Sequence, residues 1–366
     1  MRREGVRGRC RGSYRGSDSH SSSASSRRGA SVSVSVSWQL HRPPTRSPPS
    51  AALRFAWPWR RFAPGFAFGS RYRACAGFRA GGALSLALTQ TGPRLAYRTF
   101  GEQGAPVLFI MGFGMPGAVW GPQVDDLQTD YRCCHYDHLG VGESDRGPFL
   151  RTIPGMADDA VRILDDLAWD RAHVVGVSMG GMIAQELALR SADRCRSLTL
   201  VATHGGAPIA SLPTWRGMGL FLKGLFGGSK VRVKSLPRLL YPAEFLRQMG
   251  ADEMEAHLKL RLDRPPALRT VLGQLHAVWR HSTESRLSQI EAPTLLVRPG
   301  EDILIRPSQT DRLAERIPNS RVLRFDDAGH GVTFQKAAEL NAALRQHFAE
   351  HDYSRPSVEP QISAQI

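Results

Sequence analysis

From about Leu84 the chain alternates short apolar runs with stretches whose apolar residues recur every three or four positions. Leu84 to Thr89 and Arg94 to Phe100 flank Gln90-Thr91-Gly92-Pro93, and a Gly-Pro turn between two strand-like runs predicts a hairpin. Pro106 to Met111 is a continuous apolar run, as a strand buried on both faces must be. Tyr131 to Tyr136 predicts another strand, ending at Asp137. Met156, Ala160, Ile163, Leu164 and Leu167 then fall at i, i+4, i+7, i+8 and i+11, one stripe of a helix. A strand over His173–Val177, a helix over Met182–Leu189 and a strand over Ser197–Val201 follow.

After Thr203 the alternation stops, and residues from about 205 to 290 are Pro-punctuated and helix-rich. It resumes with a strand at Thr294–Val297, a helix after Pro307, a strand at Arg321–Phe325 and a last helix with Ala337, Leu340, Leu344 and Phe348 on one face. One interruption in a regular alternation predicts a three-layer α/β fold: a mostly parallel sheet with a helical cap inserted after the sixth strand. Residues 84–204 and 291–351 would form the core, 205–290 the cap, and 352–366 a disordered tail.

Charge changes the picture only once it is located. The net +15 suggests a nucleic-acid partner, but residues 1–83 hold sixteen arginines, no lysine, and only Glu4 and Asp18 as acids. The remaining chain carries 32 Lys and Arg against 31 Asp and Glu, so it is an ordinary near-neutral globular sequence and no nucleic-acid partner is expected. The 1–83 leader is Ser-rich, with no apolar run long enough for a secretory signal or a membrane span. Its composition is that of a mitochondrial or plastid transit peptide, and equally of a disordered tail or of upstream sequence translated from an early start. Its aromatics do not interleave regularly with the arginines, which argues against an RNA-binding tail. Without it the chain would be placed in the cytoplasm. Five cysteines without a C-x-x-C point to a reducing compartment and to no disulfide framework. No His/Cys cluster has zinc spacing, so neither metal nor cofactor is expected. Nothing in the sequence sets an oligomeric state.

The candidate chemistry begins at Gly176-Val177-Ser178-Met179-Gly180, between the apolar run His173-Val174-Val175 and a helical segment. Strand, glycine-framed turn, serine and helix make the context that lifts a serine Oγ above a parallel sheet, and a Cβ at either glycine would clash in so tight a turn. Acyl transfer by serine needs a base and a carboxylate that orients the base, in the chain order Ser, acid, His. Behind the next-to-last strand lies Pro299-Gly300-Glu301-Asp302, and behind the last lies Asp326-Asp327-Ala328-Gly329-His330-Gly331. Loops at the carboxyl ends of parallel strands are where such sites assemble. Asp302 is therefore expected as the acid, with its neighbour Glu301 the rival, and His330 as the base. Asp326 and Asp327 are too near His330 in sequence to support its imidazole from behind. His204, at the end of another strand, is expected as a supporting residue. The oxyanion would be held by the backbone N–H of Met179 and, from Met111-Gly112-Phe113-Gly114, by that of Phe113.

With these pieces placed, the chain from about Leu84 to His351 resembles the α/β-hydrolase superfamily, and within it the cap-bearing serine-esterase branch of methylesterase-like and aminoacrylate-hydrolase-like proteins. Tyr136-Asp137-His138-Leu139-Gly140-Val141-Gly142-Glu143-Ser144-Asp145 is similar to the family's D-x-R-G-x-G-x-S-D turn, residues 172–182 to its nucleophile elbow, and Asp327 to Gly331 to its histidine loop. Carried over, the resemblance implies Ser178 as nucleophile, Asp302 as acid and His330 as base. Met111 stands where the oxyanion loop usually has His, Leu139 where the turn usually has Arg, and Pro299 where a glycine is common. None of the three removes a catalytic group. Ser178 excludes the branches that use an aspartate nucleophile, and Val177 and Met179 do not suit the proline iminopeptidases.

Within the cap, Ser211 to Tyr241 is apolar, with Trp215, Met218, Leu220, Phe221, Leu225 and Phe226, and then basic, with Lys230, Arg232, Lys234 and Arg238. Most of the apolar residues are expected in the core, some lining an acyl pocket. The basic stretch reads as a solvated face. The expected activity is hydrolysis of a small-molecule carboxylic ester, thioester or lactone through an acyl-enzyme. Amide or carbamate cleavage, perhydrolysis and a catalytically silent binding protein are the alternatives.

Overall fold

The computed structural model describes residues 86–206, 212–250, 254, 257–258 and 264–352. The expected leader 1–83, and the expected tail beyond Asp352, lie outside the described residues. Eight strands form one sheet in the order β1-β2-β4-β3-β5-β6-β7-β8. β1 (Ala87–Leu88), β2 (Ala96–Phe100) and β4 (Arg132–Tyr136) pair antiparallel in that order. β4, β3 (Pro106–Ile110), β5 (Ala172–Val177), β6 (Cys195–Val201), β7 (Thr294–Pro299) and β8 (Ser320–Phe325) run parallel. The mostly parallel sheet is thus as expected, and each strand lies within two residues of its expected bounds except the first. Of the described part of the expected Leu84–Thr89 strand, residues 86–89, β1 takes the two residues that reach Tyr97 and Ala96.

Strand alternation builds two cores. Val107, Phe109, Cys133, Val175 and Val297 face one side, while Leu108, Ile110, Cys134, Val174 and Leu296 face the other. The neighbouring cysteines Cys133 and Cys134 therefore sit in different cores, and burial raises both thiols. α1 (Gly121–Leu127) covers the first side. α2 (Ile153–Asp166) and α3 (Met179–Arg190) cover the second. α1 was not anticipated. α3 starts three residues earlier than its periodicity suggested, because the turn at Ser178 feeds directly into it. In α2 Met156, Ala160, Ile163 and Leu164 of the expected stripe are buried, while Leu167 is half-buried at the C-cap, and Thr152 caps the first turn by accepting from Gly155 N–H at 3.1 Å.

Between β6 and β7 lies the helical insertion: α4 (Trp215–Phe226), α5 (Ser229–Leu240), α6 (Ala243–Gln248) and α7 (Leu268–Arg280). Thr214 caps α4, and its N–H and hydroxyl both donate to the Ile303 carbonyl at 3.0 Å, which pins the start of the insertion to the loop after β7. α8 (Pro307–Arg316), α9 (Val332–Gln335) and α10 (Ala337–His351) complete the fold. Leu344 and Phe348 of α10 are fully buried, each contributing about 2 kcal/mol of apolar burial. Asp352, placed in the tail on sequence, is held: its Oδ1 accepts from His173 Nε2 at 2.9 Å.

Candidate active site

Ser178 sits between β5 and α3 at φ 55°, in the left-handed region where a non-glycine residue is strained. The turn is locked from several sides. Ser178 N–H donates to Val201 O at 2.9 Å, and its carbonyl accepts from Gly181 N–H at 2.9 Å and from the Thr203 hydroxyl at 2.7 Å. A Cβ on Gly176 would fall 2.3 Å from Gly180 O, and one on Gly180 would fall 2.1 Å from Ile110 O. Neither glycine tolerates a side chain, as expected of a turn wedged against β3.

The loop after β3 passes beside the serine: a Cβ on Gly112 would lie 3.3 Å from Ser178 Cβ and 3.8 Å from its Oγ. Neither Phe113 N–H nor Met179 N–H is used by a backbone or side-chain acceptor among the described residues. Two residues that the sequence did not single out hold this loop. His138 Nε2 donates to the Met111 carbonyl at 2.8 Å, and Gln274 Oε1 on α7 accepts from Gly114 N–H at 2.8 Å. A carbonyl only accepts, so His138 carries its proton on Nε2. Burial lowers its pKa and keeps the ring neutral. The loop that lacks the usual histidine at Met111 is thus tied by a histidine from the turn after β4. No local pattern marks His138 for this work. Gln274 lies 160 residues away and becomes visible only through the fold.

On the far side of the site, His330 Nδ1 and Asp302 Oδ2 are 2.7 Å apart. A carboxylate only accepts, so the His330 proton is on Nδ1 and Nε2 is left as the basic nitrogen. Asp302 is 3% exposed, and its Oδ1 accepts from Leu304 N–H at 2.8 Å and Ile305 N–H at 2.9 Å, so both oxygens are fixed. Glu301 is exposed, its N–H donating to Ala328 O at 2.8 Å. Asp326 is exposed, and so is Asp327, which pairs with Lys336 at 2.6 Å. The glycines beside His330 admit the cap: a Cβ on Gly329 would lie 2.5 Å from Leu240 O, and one on Gly331 would lie 2.3 Å from the Tyr241 ring.

Ser178, Phe113 and His330 line one cavity of about 490 Å³. Leu220, Phe221 and Leu225 of α4 and Leu236, Leu239 and Leu240 of α5 close it from the cap side. Arg232 is its one charged lining residue, and Ser178, His330 and Thr333 are the polar side chains. His204 does not line it. Its Nδ1 accepts from Gly206 N–H at 3.1 Å, its ring lies 6.3 Å from that of His281, and burial lowers it to about 4. Among the described residues one group offers metal-type donors, His347, Glu350 and His351 of α10, which sequence spacing did not flag. Glu350 there pairs with Arg321 at 2.6 Å, and none of the three lines the cavity.

This geometry sits on a chain whose residues 105–337 match the family described as alpha/beta hydrolase fold. The chain belongs to the alpha/beta hydrolase family. A relative from Azorhizobium caulinodans, assigned by name as the carbamate hydrolase RutD, is 32% identical over 260 residues, covering 68% of this chain and 93% of its own. A hydrolase from Pseudomonas aeruginosa superposes with a TM-score of 0.63 at 22% identity, over 74% of this chain and 99% of that one. Est816, described as an N-acyl homoserine lactone degrading enzyme, gives 0.57 at 26% identity, over 71% and 99%. Membership in the alpha/beta hydrolases is consistent with the insertion after β6 and with the glycine-framed serine turn at the end of β5. The family's usual arginine is absent at Leu139, which is buried in the core, and Asp137 beside it accepts from Gly117 N–H at 2.7 Å and Glu143 N–H at 3.0 Å.

Proposed function

We propose that this hydrolase cleaves a carboxylic ester with an apolar acyl group through an acyl-enzyme on Ser178. His330 Nε2 takes the hydroxyl proton as Oγ attacks the acyl carbon, and Asp302 holds the ring and stabilises the imidazolium. The oxyanion accepts from the N–H groups of Phe113 and Met179, each such donor contributing about 3 kcal/mol to the transition state. His330 then returns the proton to the leaving alkoxide. A water, deprotonated by the same nitrogen, attacks the acyl carbon, releases the acid and restores Ser178.

The observation that carries the reading is the 2.7 Å pair of His330 Nδ1 and Asp302 Oδ2 opening on the same apolar cavity that Ser178 lines. Carbamate cleavage is the second reading, favoured by the name of the Azorhizobium relative. It would use the same serine. The apolar lining argues for the ester, because a small polar carbamate would leave most of the cavity wall unfilled while its N–H groups lost water. Fluorophosphonate labelling of Ser178, followed by turnover of p-nitrophenyl esters of increasing acyl length beside a p-nitrophenyl carbamate, tests both. An optimum at a medium chain supports the ester, faster carbamate turnover reverses the order, and absence of labelling removes serine catalysis altogether.

A further inference from the structure

From Leu212 to Ala243 the sequence contains no Asp or Glu and six cations: Arg216, Lys223, Lys230, Arg232, Lys234 and Arg238. None of the six forms an ion pair among the described residues. Most cations elsewhere among the described residues are paired: Arg98 meets Glu143 at 2.8 Å, Arg286 meets Glu186 at 2.5 Å, and Arg345 meets Asp126 at 2.5 Å.

The apolar pattern of the same hairpin is also unusual. Trp215, Leu222 and Phe226 follow at i, i+7 and i+11, so they lie within about 40° of one another on α4. All three are exposed, Trp215 at 93% and Phe226 at 68%. Leu220, Phe221 and Leu225 line the cavity, and Phe226 reaches its rim as well, so Trp215 and Leu222 are the stripe residues turned wholly away from it. A surface helix needs one apolar stripe, against its core; α4 has two, and the outer one is uncovered among the described residues. Exposed Arg216 and Lys223 flank the outer stripe about 80–100° round from Trp215. On α5, Lys230, Lys234 and Arg238 recur at i, i+4 and i+8, with Val231 and Val233 exposed beside them.

We propose that the α4–α5 hairpin docks on the surface of an anionic lipid bilayer. The outer stripe of α4 enters the boundary between headgroups and acyl chains, and the five exposed cations, Arg216, Lys223, Lys230, Lys234 and Arg238, meet the lipid phosphates, while Arg232 stays at the cavity wall. A bilayer satisfies both features at once. A nucleic-acid backbone would pair the cations and leave the tryptophan, leucine and phenylalanine in water. The chain's own leader, with sixteen arginines, carries charge of the same sign as the hairpin and so offers its cations no counter-charge. No helix among the described residues is long and apolar enough to cross a membrane, so the contact is peripheral. This docking stands apart from the ester reading, since it needs no catalysis.

The test uses the full chain with phosphatidylcholine vesicles carrying brominated acyl chains, with and without phosphatidylglycerol. Tryptophan quenching is expected with phosphatidylglycerol present and is expected to fall in Trp215→Phe at equal bound protein. That difference isolates the hairpin from Trp38, Trp57 and Trp59 of the leader. Reversing Lys230 and Lys234 to Glu is expected to lower partitioning at least about tenfold. Trp215 and both lysines are exposed, so these variants fold. Equal quenching in wild type and Trp215→Phe overturns the proposal by assigning the contact to the leader. Absence of binding to either vesicle, or binding to an acidic protein alone, overturns it as well.

Discussion

The carboxyl edge of the sheet and the α4–α5 hairpin close the same cavity, and they are built by opposite rules. At the sheet edge the backbone and the orienting groups are fixed: Asp302 accepts three bonds, Ser178 is held through both its N–H and its carbonyl, and Gly176 and Gly180 leave no room for a side chain. In the hairpin six cations have no ion-pair partner among the described residues, and one apolar stripe faces outward. Preorganisation serves chemistry, because donors and acceptors already in place cost no reorganisation as charge develops. Unspent charge and uncovered apolar surface serve association.

The sharpest way to break this contrast is at the nucleophile. Ser178→Ala is expected to lower kcat for ester hydrolysis by about 10⁴–10⁶-fold with the melting temperature unchanged, while Trp215→Phe leaves turnover of a soluble short ester intact. Steady-state assays of both variants decide it, and a serine variant near wild type would end the proposed chemistry. Next in size, Asp302→Asn is expected to cost about 10⁴-fold, against little for the exposed Glu301→Gln. The reverse ranking would move the acid by one residue.

Gln274→Ala leaves the Gly114 N–H without its acceptor and loosens the loop that carries Phe113. The cost of an unmet buried donor is about 1–3 kcal/mol, which corresponds to a loss of about tenfold to a hundredfold in kcat at constant KM. A change in KM alone would make Gln274 a substrate contact instead.

A smaller effect concerns stability. Burial depresses His204 to about 4 and His281 to about 3, and neither ring nitrogen of His281 has a partner among the described residues. Below pH 6.5 the unfolded chain takes up protons that these native rings refuse, so stability is full above pH 6.5 and falls as pH drops towards those values, by about 1.4 kcal/mol per unit per group. Urea titrations at pH 7 and pH 5 should show His281→Leu removing about 2 kcal/mol of that loss. An unchanged pH dependence would show that His281 stays accessible to protons in the folded state. Smallest of all, a chain starting at residue 80 is expected to match the full chain in melting temperature and ester turnover. A large fall in either would mean that leader aromatics such as Trp57 and Phe66 belong to the fold.

Much of the sheet was legible because its signals are local. A parallel strand buried on both faces must be apolar throughout, and Val107 to Ile110 and Val174 to Val177 can scarcely be read otherwise. α1 escaped notice because Gly121 and Pro122 begin a segment of only seven residues, too short to establish a period. The Ser178 turn was legible because steric crowding admits only glycine at 176 and 180.

Sequence by itself determined what depends on neighbours along the chain: strand and helix periods, the glycine-framed serine, the order Ser178, Asp302, His330, and the concentration of arginines before residue 84. Tertiary structure alone decided what depends on residues meeting across tens of positions to more than a hundred and fifty. It turned Asp302 rather than Glu301 towards His330, brought His138 and Gln274 to the loop of Phe113, and gave α4 one apolar face for the cavity and a second for the outside. The physical reason is that hydrophobicity and steric exclusion act on each residue where it stands in the chain. Hydrogen-bond partners and uncovered surface exist only once the chain has closed around them.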